Sequence, residues 1–281
     1  MKVLLGQVPI APRDRPANVA TVIAAIDGAP EVELAVFPEM ALPGYSTVDL
    51  AASALTVPGF RAARVASDSE RAADDALPPE LAAIAGAAAR QETAVVVGFA
   101  EAAPGGAFRN SLACIDERGE LVGIYRKTHL FGEAELAAFH AGEEYLIVAL
   151  AGVRVGVQIC FDTEFPEPGR AMALAGAELL VTASANMAPY DLEHRLGAAA
   201  RAIENRLPHV YVNRCGTESG FDFLGDSAAI DAGGRDLLRL GAEPELAIVD
   251  VPIGADTIGE VDYLRHLPPA LPVTDATRAP A

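Results

Sequence analysis

The stretch from residue 153 to residue 168 places the strongest constraint on how this chain can fold. Its first half alternates apolar side chains with polar or small ones, which is the period of a strand with one buried face. Cys160 ends this strand, and Pro166 predicts that a helix follows over Glu167–Gly176. Because a helix dipole favours a thiolate just ahead of the helix, Cys160 is a candidate nucleophile, with a buried structural cysteine as the alternative.

Composition predicts a single α/β domain over residues 1–281. The chain is 51% hydrophobic and 21% charged, which allows a sizeable core and argues against disorder. Strands alternate with helices and hairpins without a linker or repeat, an order typical of mixed sheets covered by helices. The tail from about residue 265 to residue 281 is rich in proline and is predicted to be extended. The predicted helices are Pro16–Ile26, Pro78–Glu92, Glu167–Gly176 and Tyr190–Leu207.

Charge and hydropathy narrow the expected partners to small molecules. The net charge is −18, so no basic surface is available for nucleic acid or for an anionic membrane. No apolar run reaches the length of a membrane-spanning helix, and the first residues predict a strand rather than a signal peptide. Three cysteines, an odd number, fit reduced thiols. We therefore expect a cytoplasmic protein.

The histidines argue against a metal site. The five of them show neither a His-x-His nor a His-Glu-x-x-His spacing. His129 lies two positions after Lys127, and we expect it to support the structure there.

Lysine is unusually rare in this chain. Of 21 basic residues only Lys2 and Lys127 are lysine, so arginine supplies the ordinary surface charge. An interior lysine in such a sequence suggests a site that needs a compact ammonium group rather than a planar guanidinium. Chance is the alternative.

Three side chains that can act together follow three predicted strands. Glu39 comes after the strand Val32–Phe37, Lys127 ends the second strand of a predicted hairpin, and Cys160 ends a third strand. In α/β folds such positions meet in the crevice beyond the strand ends. Glu39 could take the thiol proton, while Lys127 and the backbone N–H of Phe161 could hold an oxyanion. A solvated loop carboxylate is the alternative for Glu39.

Three segments carry a pattern that is much more specific together than any one of them alone. They are Phe37-Pro38-Glu39, Tyr125-Arg126-Lys127-Thr128-His129-Leu130-Phe131 and Cys160-Phe161-Asp162-Thr163-Glu164-Phe165-Pro166-Glu167. In order and spacing they resemble the signature segments of the nitrilase superfamily, the carbon–nitrogen hydrolases. The resemblance runs from the first strand to about Val251. It implies a four-layer α-β-β-α sandwich, which usually pairs through its helices into a homodimer or a higher homo-oligomer.

By that resemblance the site residues take definite roles. Cys160 would be the nucleophile, Glu39 the general base and Lys127 the electrostatic stabiliser of an acyl-transfer site. The family also has a second glutamate after the lysine segment that helps to position the substrate. Glu135 is the first choice for it and Glu133 is the alternative. No metal and no organic cofactor is implied.

The nucleophile segment favours one branch of the superfamily. Many nitrilases carry Cys-Trp-Glu there, whereas this chain has Cys160-Phe161-Asp162 and no tryptophan. Together with Tyr211-Val212-Asn213-Arg214-Cys215-Gly216, this segment looks most like amidases that convert a small carboxamide into an acid and ammonia through a Cys thioester. A nitrilase or an N-carbamoyl amide hydrolase of the same superfamily is one alternative. A catalytically silent binding protein is the alternative outside enzymes.

Further side chains are predicted near the thiol. The candidates for substrate contact, each with a core or loop role as its alternative, are Tyr45, Phe131, Asn186 and Met187. The carboxylates of Asp162, Glu164 and Glu167 are close to Cys160 in sequence. We expect them to serve the N-terminus of the helix that follows.

Overall fold

Two six-stranded sheets pack face to face at the centre of the computed structural model, which describes residues 1–57, 76–254, 261 and 263–268. The helices are α1 (Arg15–Asp27), α2 (Leu50–Ser53), α3 (Pro79–Gln91), α4 (Gly132–Ala138), α5 (Pro166–Leu174) and α6 (Asp191–Asn205). The strands are β1 (Lys2–Gln7), β2 (Leu34–Val36), β3 (Ala94–Ala103), β4 (Ala107–Ile115), β5 (Leu121–Arg126), β6 (Leu146–Leu150), β7 (Val153–Ile159), β8 (Leu179–Ser184), β9 (His209–Asn213), β10 (Cys215–Glu218), β11 (Phe221–Leu224), β12 (Ala228–Ile230), β13 (Asp236–Arg239) and β14 (Glu245–Asp250). Within these described ranges, no helix is both long enough and apolar enough to cross a bilayer.

The order of the strands brings the first two site residues together. The first sheet runs β14-β1-β2-β3-β4-β5 and the second β13-β12-β9-β8-β7-β6, while β10 and β11 form a separate hairpin. Strands β1, β2 and β3 are parallel, and β4 is antiparallel to both β3 and β5. Strand β5 therefore points the same way as β2. The segments that follow β2 and β5, which carry Glu39 and Lys127, leave the sheet at the same end.

Strand β7 is buried on both faces, whereas its alternating sequence predicts only one buried face. Val155, Val157 and Ile159 belong to the apolar cluster between the two sheets. On the other face, Gly156 lies under α5, where a Cβ atom would come within 2.9 Å of the sulfur of Met172. Gly156 and Gln158 of the alternation are therefore buried, whereas Arg154 near the start of the strand is exposed.

Helices cover the outer faces of both sheets. Side chains of α1 and α3, such as Ile26 and Ile84, share one apolar cluster with Leu4 of the first sheet. On the second sheet, Ala202 of α6 packs in a cluster with Tyr211 of β9. The layers are thus helix, sheet, sheet and helix, and the predicted four-layer α-β-β-α sandwich is confirmed.

The predicted boundaries agree with the structure best where the periodicity is long. All four predicted helices match α1, α3, α5 and α6 to within two residues at each end. The short helix α4 and the hairpin β10–β11 were not predicted, and the strand predicted over His209–Cys215 is divided at Arg214 between β9 and β10. Tyr263–His266 form a 3₁₀ turn where the extended tail was expected to begin, and residues 269–281 of that prediction lie outside the described residues.

Gly98 of β3 allows the loop that carries Glu39 to lie directly on the first sheet. The backbone N–H of Gly98 donates to the carbonyl of Pro38 at 3.2 Å, and its carbonyl accepts from Leu42 at 3.1 Å. A Cβ atom at Gly98 would overlap the carbonyl oxygen of Pro38 and the backbone nitrogen of Met40. The absence of a side chain at this position therefore sets the height of Glu39 above the sheet.

Replacing Gly98 tests this close approach. We expect Gly98→Ala to lower the free energy of unfolding by roughly 1–3 kcal/mol, because the added methyl group must push the loop away. Urea denaturation measures the change. The control is Gly86→Ala in α3, where the nearest atom to the added Cβ is 3.7 Å away at the flexible end of Arg90. That variant should be neutral or more stable by up to about 1 kcal/mol. Equal midpoints for the two variants would contradict the argument.

Candidate active site

Glu39, Lys127 and Glu135 form a buried cluster of charges beyond the first sheet. The Nζ atom of Lys127 lies 2.8 Å from Oε1 of Glu39 and 2.9 Å from Oε2 of Glu135. Glu39 is fully buried, and the other two residues are each 1% exposed. Glu133, in contrast, is exposed, so the structure places Glu135 against the lysine. With two carboxylates and one ammonium, the cluster carries an excess of negative charge.

Neighbouring groups hold both carboxylates in place. Asn110 donates from Nδ2 to Oε1 of Glu39 at 2.6 Å. Glu135 accepts the hydroxyl of Tyr45 at 2.8 Å and the backbone N–H of Phe131 at 2.7 Å. Within the described part of the chain, Oε2 of Glu39 is buried and has no hydrogen-bond partner. That oxygen is therefore available to accept a proton.

Cys160 follows β7 in a backbone conformation that is rare for residues other than glycine. Its φ is 45°, and such strain persists only where the surrounding structure fixes it. The side chain is buried, and the hydroxyl of Ser184 and the backbone N–H of Ala185 lie near its sulfur and act to lower the pKa of the thiol. The charges of Glu39 and Lys127 act on the same sulfur. The structure thus brings the three predicted residues into one site.

The thiol of Cys160 is protonated at rest. Burial, together with the negative charge of Glu39, raises the pKa of this thiol well above its usual value, and the charge of Lys127 only partly opposes that shift. Burial and Glu39 thus oppose the thiolate form that a helix dipole was expected to favour. A 3₁₀ turn over Cys160–Glu164 separates the sulfur from the start of α5, and the cost of burying an anion outweighs the dipole.

The other two charges are suited to be a base and a fixed cation. Burial raises the pKa of Glu39, and the carboxylate of Glu135 adds to the rise, while Lys127 and Asn110 act against it. For Lys127, burial disfavours the ammonium form, but the carboxylates of Glu135 and Glu39 prevail and raise its pKa well above the usual value. A carboxylate with a raised pKa is the better proton acceptor near neutral pH. Lys127 keeps its charge throughout.

Asp162 connects the lysine segment to the nucleophile segment. Its Oδ1 accepts the backbone N–H of His129 at 2.9 Å and the hydroxyl of Thr128 at 2.8 Å. Its Oδ2 accepts the hydroxyl of Tyr125 at 2.8 Å and the backbone N–H of Ile159 at 3.0 Å. Asp162 thus serves the N-terminus of the 3₁₀ turn over Cys160–Glu164 and not that of α5, and its oxygens join the end of β5 to the end of β7.

The two neighbouring carboxylates differ from each other. Glu167 is exposed in the first turn of α5, where a carboxylate interacts favourably with the helix dipole, as expected. Glu164 is half-buried, and its Oε1 lies 3.2 Å from Nε2 of His194 in α6. Its partner is thus a histidine of the neighbouring helix, and not the N-terminus of α5.

Two of the candidate substrate contacts lie directly beside the charge cluster. Tyr45 is buried, and its hydroxyl is already engaged by Glu135. Phe131 is half-buried, and its ring packs edge-on against Phe161 and Tyr190 with centroids 5.3 Å apart in both pairs. Tyr45 is therefore placed to orient the glutamate, and the ring of Phe131 to form an apolar wall.

The other two candidates follow β8. The side chain of Asn186 donates to the carbonyl of Tyr190 at 2.9 Å, which fixes the loop before α6. Met187 is buried, forms a β-bridge with Phe223 of β11 and shares an apolar cluster with Tyr45. Contact with substrate stays a prediction for both.

Two residues near the catalytic side chains were not predicted. Asn110, which holds Glu39, lies in β4, where the buried part of that strand begins. Ser184, which lies near Cys160, is the last residue of β8. Both are polar residues at the ends of apolar strands. The signal that identified Glu39, Lys127 and Cys160 was therefore present for these residues as well.

Comparison with known proteins agrees with this geometry. The family model described as carbon-nitrogen hydrolase matches residues 2–260. An (R)-stereoselective amidase from Pseudomonas sp. is 35% identical over 265 residues, which cover 94% of this chain and 89% of that protein. A protein named hydrolase in pqqF 5′ region, from Pseudomonas protegens, is 36% identical over 249 residues, with coverage of 88% and 81%.

Solved structures of an amidase from Nesterenkonia sp. AN1 share the fold. A variant of that amidase in complex with butyramide superimposes with a TM-score of 0.78 at 28% identity, covering 95% of this chain and 94% of that one. Another variant carries the acetamide moiety of fluoroacetamide on its active-site cysteine. It superimposes with a TM-score of 0.76 at 28% identity, covering 95% of each chain.

The family match extends over nearly the whole chain and coincides with a buried Glu-Lys-Cys arrangement. The protein belongs to the carbon–nitrogen hydrolases of the nitrilase superfamily. One of the two relatives named above and the structural neighbours are amidases, so the prediction of an amidase-like hydrolase is confirmed.

Asp162→Asn tests whether the link between the two segments positions the site. The amide would turn an NH₂ group toward N–H and O–H donors that now bind a carboxylate oxygen, and the remaining hydrogen bonds would lose their charge assistance. The ends of β5 and β7 would then separate, so Lys127 should shift relative to Cys160. We expect ammonia release from a small carboxamide to fall by roughly 100-fold, since small misplacements of catalytic groups have effects of that size.

The matched control is Asp116→Asn. Asp116 is also buried and accepts the backbone N–H groups of Arg118 and Glu120, but in the turn between β4 and β5. Urea denaturation should show a loss of stability for both variants, while turnover falls only for Asp162→Asn. Equal turnover in the two folded variants would show that Asp162 is only structural.

Proposed function

We propose that this protein hydrolyses small carboxamides to the carboxylic acid and ammonia through a thioester on Cys160. The observation that carries the proposal is the burial of a protonated thiol beside Glu39, whose Oε2 is unpartnered among the described residues, and beside the fixed charge of Lys127. The named relatives support the substrate class, because one is a stereoselective amidase and another was solved with butyramide.

In the first half of the reaction, the sulfur of Cys160 attacks the amide carbonyl while Oε2 of Glu39 takes the thiol proton. A carbon–sulfur bond forms, and the carbonyl oxygen becomes an oxyanion that Lys127 and the backbone N–H of Phe161 stabilise. Glu39 then gives its proton to the nitrogen. The carbon–nitrogen bond breaks, ammonia leaves and the thioester remains.

In the second half, water attacks the thioester and Glu39 accepts a proton from it. The intermediate collapses to the carboxylic acid, and the departing sulfur recovers its proton from Glu39. The raised pKa of Glu39 suits both directions of transfer, since the carboxyl must take and return a proton in each half. We assign Glu135 to hold Lys127 and to position the substrate.

Nitriles and N-carbamoyl compounds are the alternative substrates. Each presents an electrophilic carbon that the same thiol could attack. The segment Cys160-Phe161-Asp162, which lacks the tryptophan of many nitrilases, favours an amide over a nitrile. A screen for ammonia release over amides, nitriles and N-carbamoyl compounds separates the three classes.

We expect Cys160→Ala to release no ammonia above the blank from any compound in that screen. Intact-mass measurement of the wild type during turnover should show an added acyl group in place of one hydrogen, and the adduct should be absent from the variant. The reason is that no other group in the site can form the thioester.

Cys215→Ser is the matched control, because Cys215 is buried in β10, where its thiol donates only a long contact of 3.8 Å to the carbonyl of Val8. Its turnover should stay within a few-fold of the wild type. Ammonia release by Cys160→Ala would refute the nucleophile. Absence of both ammonia and adduct across the whole screen with the wild type would favour a silent binding protein.

We also propose that two copies of the chain pair through α6. Leu192, Leu196 and Ile203 lie on one face of this helix and are 58%, 59% and 38% exposed. Such an apolar stripe on a surface helix is typical of a protein interface. It also fits the pairing through helices that the family resemblance implies.

The pairing predicts that Leu196→Glu yields a monomer, because a charge at the centre of the stripe would lose its hydration in the interface. Light scattering coupled to size exclusion measures the mass. Leu246→Glu is the control, since Leu246 is 52% exposed on β14, away from α6. A monomeric wild type at micromolar concentration would contradict the proposal.

A further inference from the structure

A chain of buried polar side chains leads from the sulfur of Cys160 to the half-buried Glu164. Strands β7 and β8 pair up to Ile159 and Ala183, so Ser184 lies beside Cys160, and its hydroxyl lowers the pKa of the thiol. The hydroxyl of Tyr211 lies 3.0 Å from Oγ of Ser184 and 2.9 Å from Nδ1 of His194. Nε2 of His194 lies 3.2 Å from Oε1 of Glu164. The chain crosses β8, β9 and α6, and the reaction steps above do not use it.

The surroundings of this chain are apolar and exclude water. Ser184 is fully buried, and Tyr211 and His194 are 4% and 3% exposed. Tyr211 packs beneath α6 in a cluster with Ala198 and Ala202. In such surroundings a hydrogen bond is stronger than in water, and a polar group without a partner is costly. Each hydrogen bond of this chain is therefore costly to break.

The donors point toward the sulfur. Tyr211 donates its hydroxyl hydrogen to Oγ of Ser184, so the single hydrogen of Ser184 is left to donate to Cys160. Burial raises the pKa of Tyr211 well above its usual value, which keeps that donor protonated. The oxygen of Tyr211 can then accept an N–H at Nδ1 of His194, and when the ring also carries a proton at Nε2, that N–H is donated to Glu164.

The charges near the sulfur explain why such a donor is needed. Glu39 and Lys127 act on the thiol of Cys160, and the second carboxylate of Glu135 binds the same ammonium. The positive charge of Lys127 is thus already shared between two anions. A developing thiolate has to be stabilised largely by neutral donors, and among the described residues Ala185 and Ser184 act in this way on the thiol.

We propose that Tyr211 and His194 are positioning residues that hold the hydroxyl of Ser184 as a fixed donor to the sulfur of Cys160. The proposal rests on the proposed function only in taking Cys160 as the nucleophile. When Glu39 removes the proton, the hydroxyl of Ser184 is already aligned with the negative charge that forms on sulfur. A pre-aligned donor in a dry site needs no reorganisation at the moment of attack.

The test reads the thiol directly and does not require amide turnover. Methyl methanethiosulfonate is small, neutral and not an amide; the thiolate attacks its sulfenyl sulfur, a methyl disulfide forms and methanesulfinate leaves. The rate of this reaction at Cys160 is followed by peptide mass against pH, with Cys160→Ala as the blank. The variants are Ser184→Ala, Tyr211→Phe and His194→Asn.

We expect Ser184→Ala to react about tenfold more slowly than the wild type at pH 7, because a donor to a charged group is lost. The pH at which the rate reaches half its maximum should rise. Tyr211→Phe keeps the ring and removes only a hydroxyl, so it should raise this pH by a smaller amount than Ser184→Ala does. His194→Asn should raise it by a smaller amount still.

A double-mutant cycle separates a relayed effect from a structural one. If Tyr211 acts through Ser184, adding Tyr211→Phe to Ser184→Ala should change the pH profile no further. Thr93→Val is the matched control, since it removes a buried hydroxyl bonded to the carbonyl of Val32 at the far end of β3. That variant should leave the profile unchanged.

Additive effects of Ser184→Ala and Tyr211→Phe would overturn the proposal, as would unchanged profiles in folded single variants. The proposed function fails differently. If no amide, nitrile or carbamoyl compound releases ammonia while the profile still shifts, the polar chain tunes the thiol of a protein with another activity. If amides are hydrolysed and the profile does not shift, only the inference about Tyr211 and His194 is lost.

Discussion

The ammonium of Lys127, held between two buried carboxylates, is the interaction on which the rest of the site depends. Burying any one of these three charges alone would be prohibitive, and the pairing offsets only part of the cost of removing them from water. One ammonium cannot neutralise the negative charge of two carboxylates. The excess appears as the raised pKa of Glu39, which burial and Glu135 make a stronger base than an ordinary glutamate. The chain thus keeps a costly arrangement whose benefit is chemical rather than structural.

This arrangement exists only if the two sheets meet in one particular way. The first sheet supplies Glu39 and Lys127, and the second supplies Cys160 and Ser184. The aliphatic cluster between the sheets sets the distance between them. Because apolar packing is not directional, it does not fix how one sheet is aligned on the other. Direction comes from Asp162, whose two oxygens bind donors at the ends of β5 and β7. Packing therefore brings the halves of the site together, and a single buried carboxylate aligns them.

The parts of the structure that could be predicted are those with a local cause. Helical and strand periodicity gave α1, α3, α5, α6 and β7, and the chemistry of strand ends, strengthened by the family resemblance, gave Glu39, Lys127 and Cys160. What failed depends on contacts distant in sequence. Asp162 was expected to serve the helix that follows it. Its donors instead come from residues 125–129 and from Ile159. The thiol was expected to ionise, because sequence shows a helix start but not how deeply the sulfur is buried.

A protonated resting thiol changes how the site must work. A second anion beside Glu39 would be unfavourable, so the sulfur loses its proton most readily as its bond to an electrophile forms and spreads the negative charge into that group. Proton transfer and attack are then coupled, and a ligand without an electrophilic atom leaves the thiol neutral. A planar guanidinium could not replace Lys127 here, because the space between the carboxylates of Glu39 and Glu135 fits a compact ammonium within 3 Å of both. The fit of a lysine at position 127 and the raised pKa of the thiol thus both depend on the buried carboxylate of Glu39.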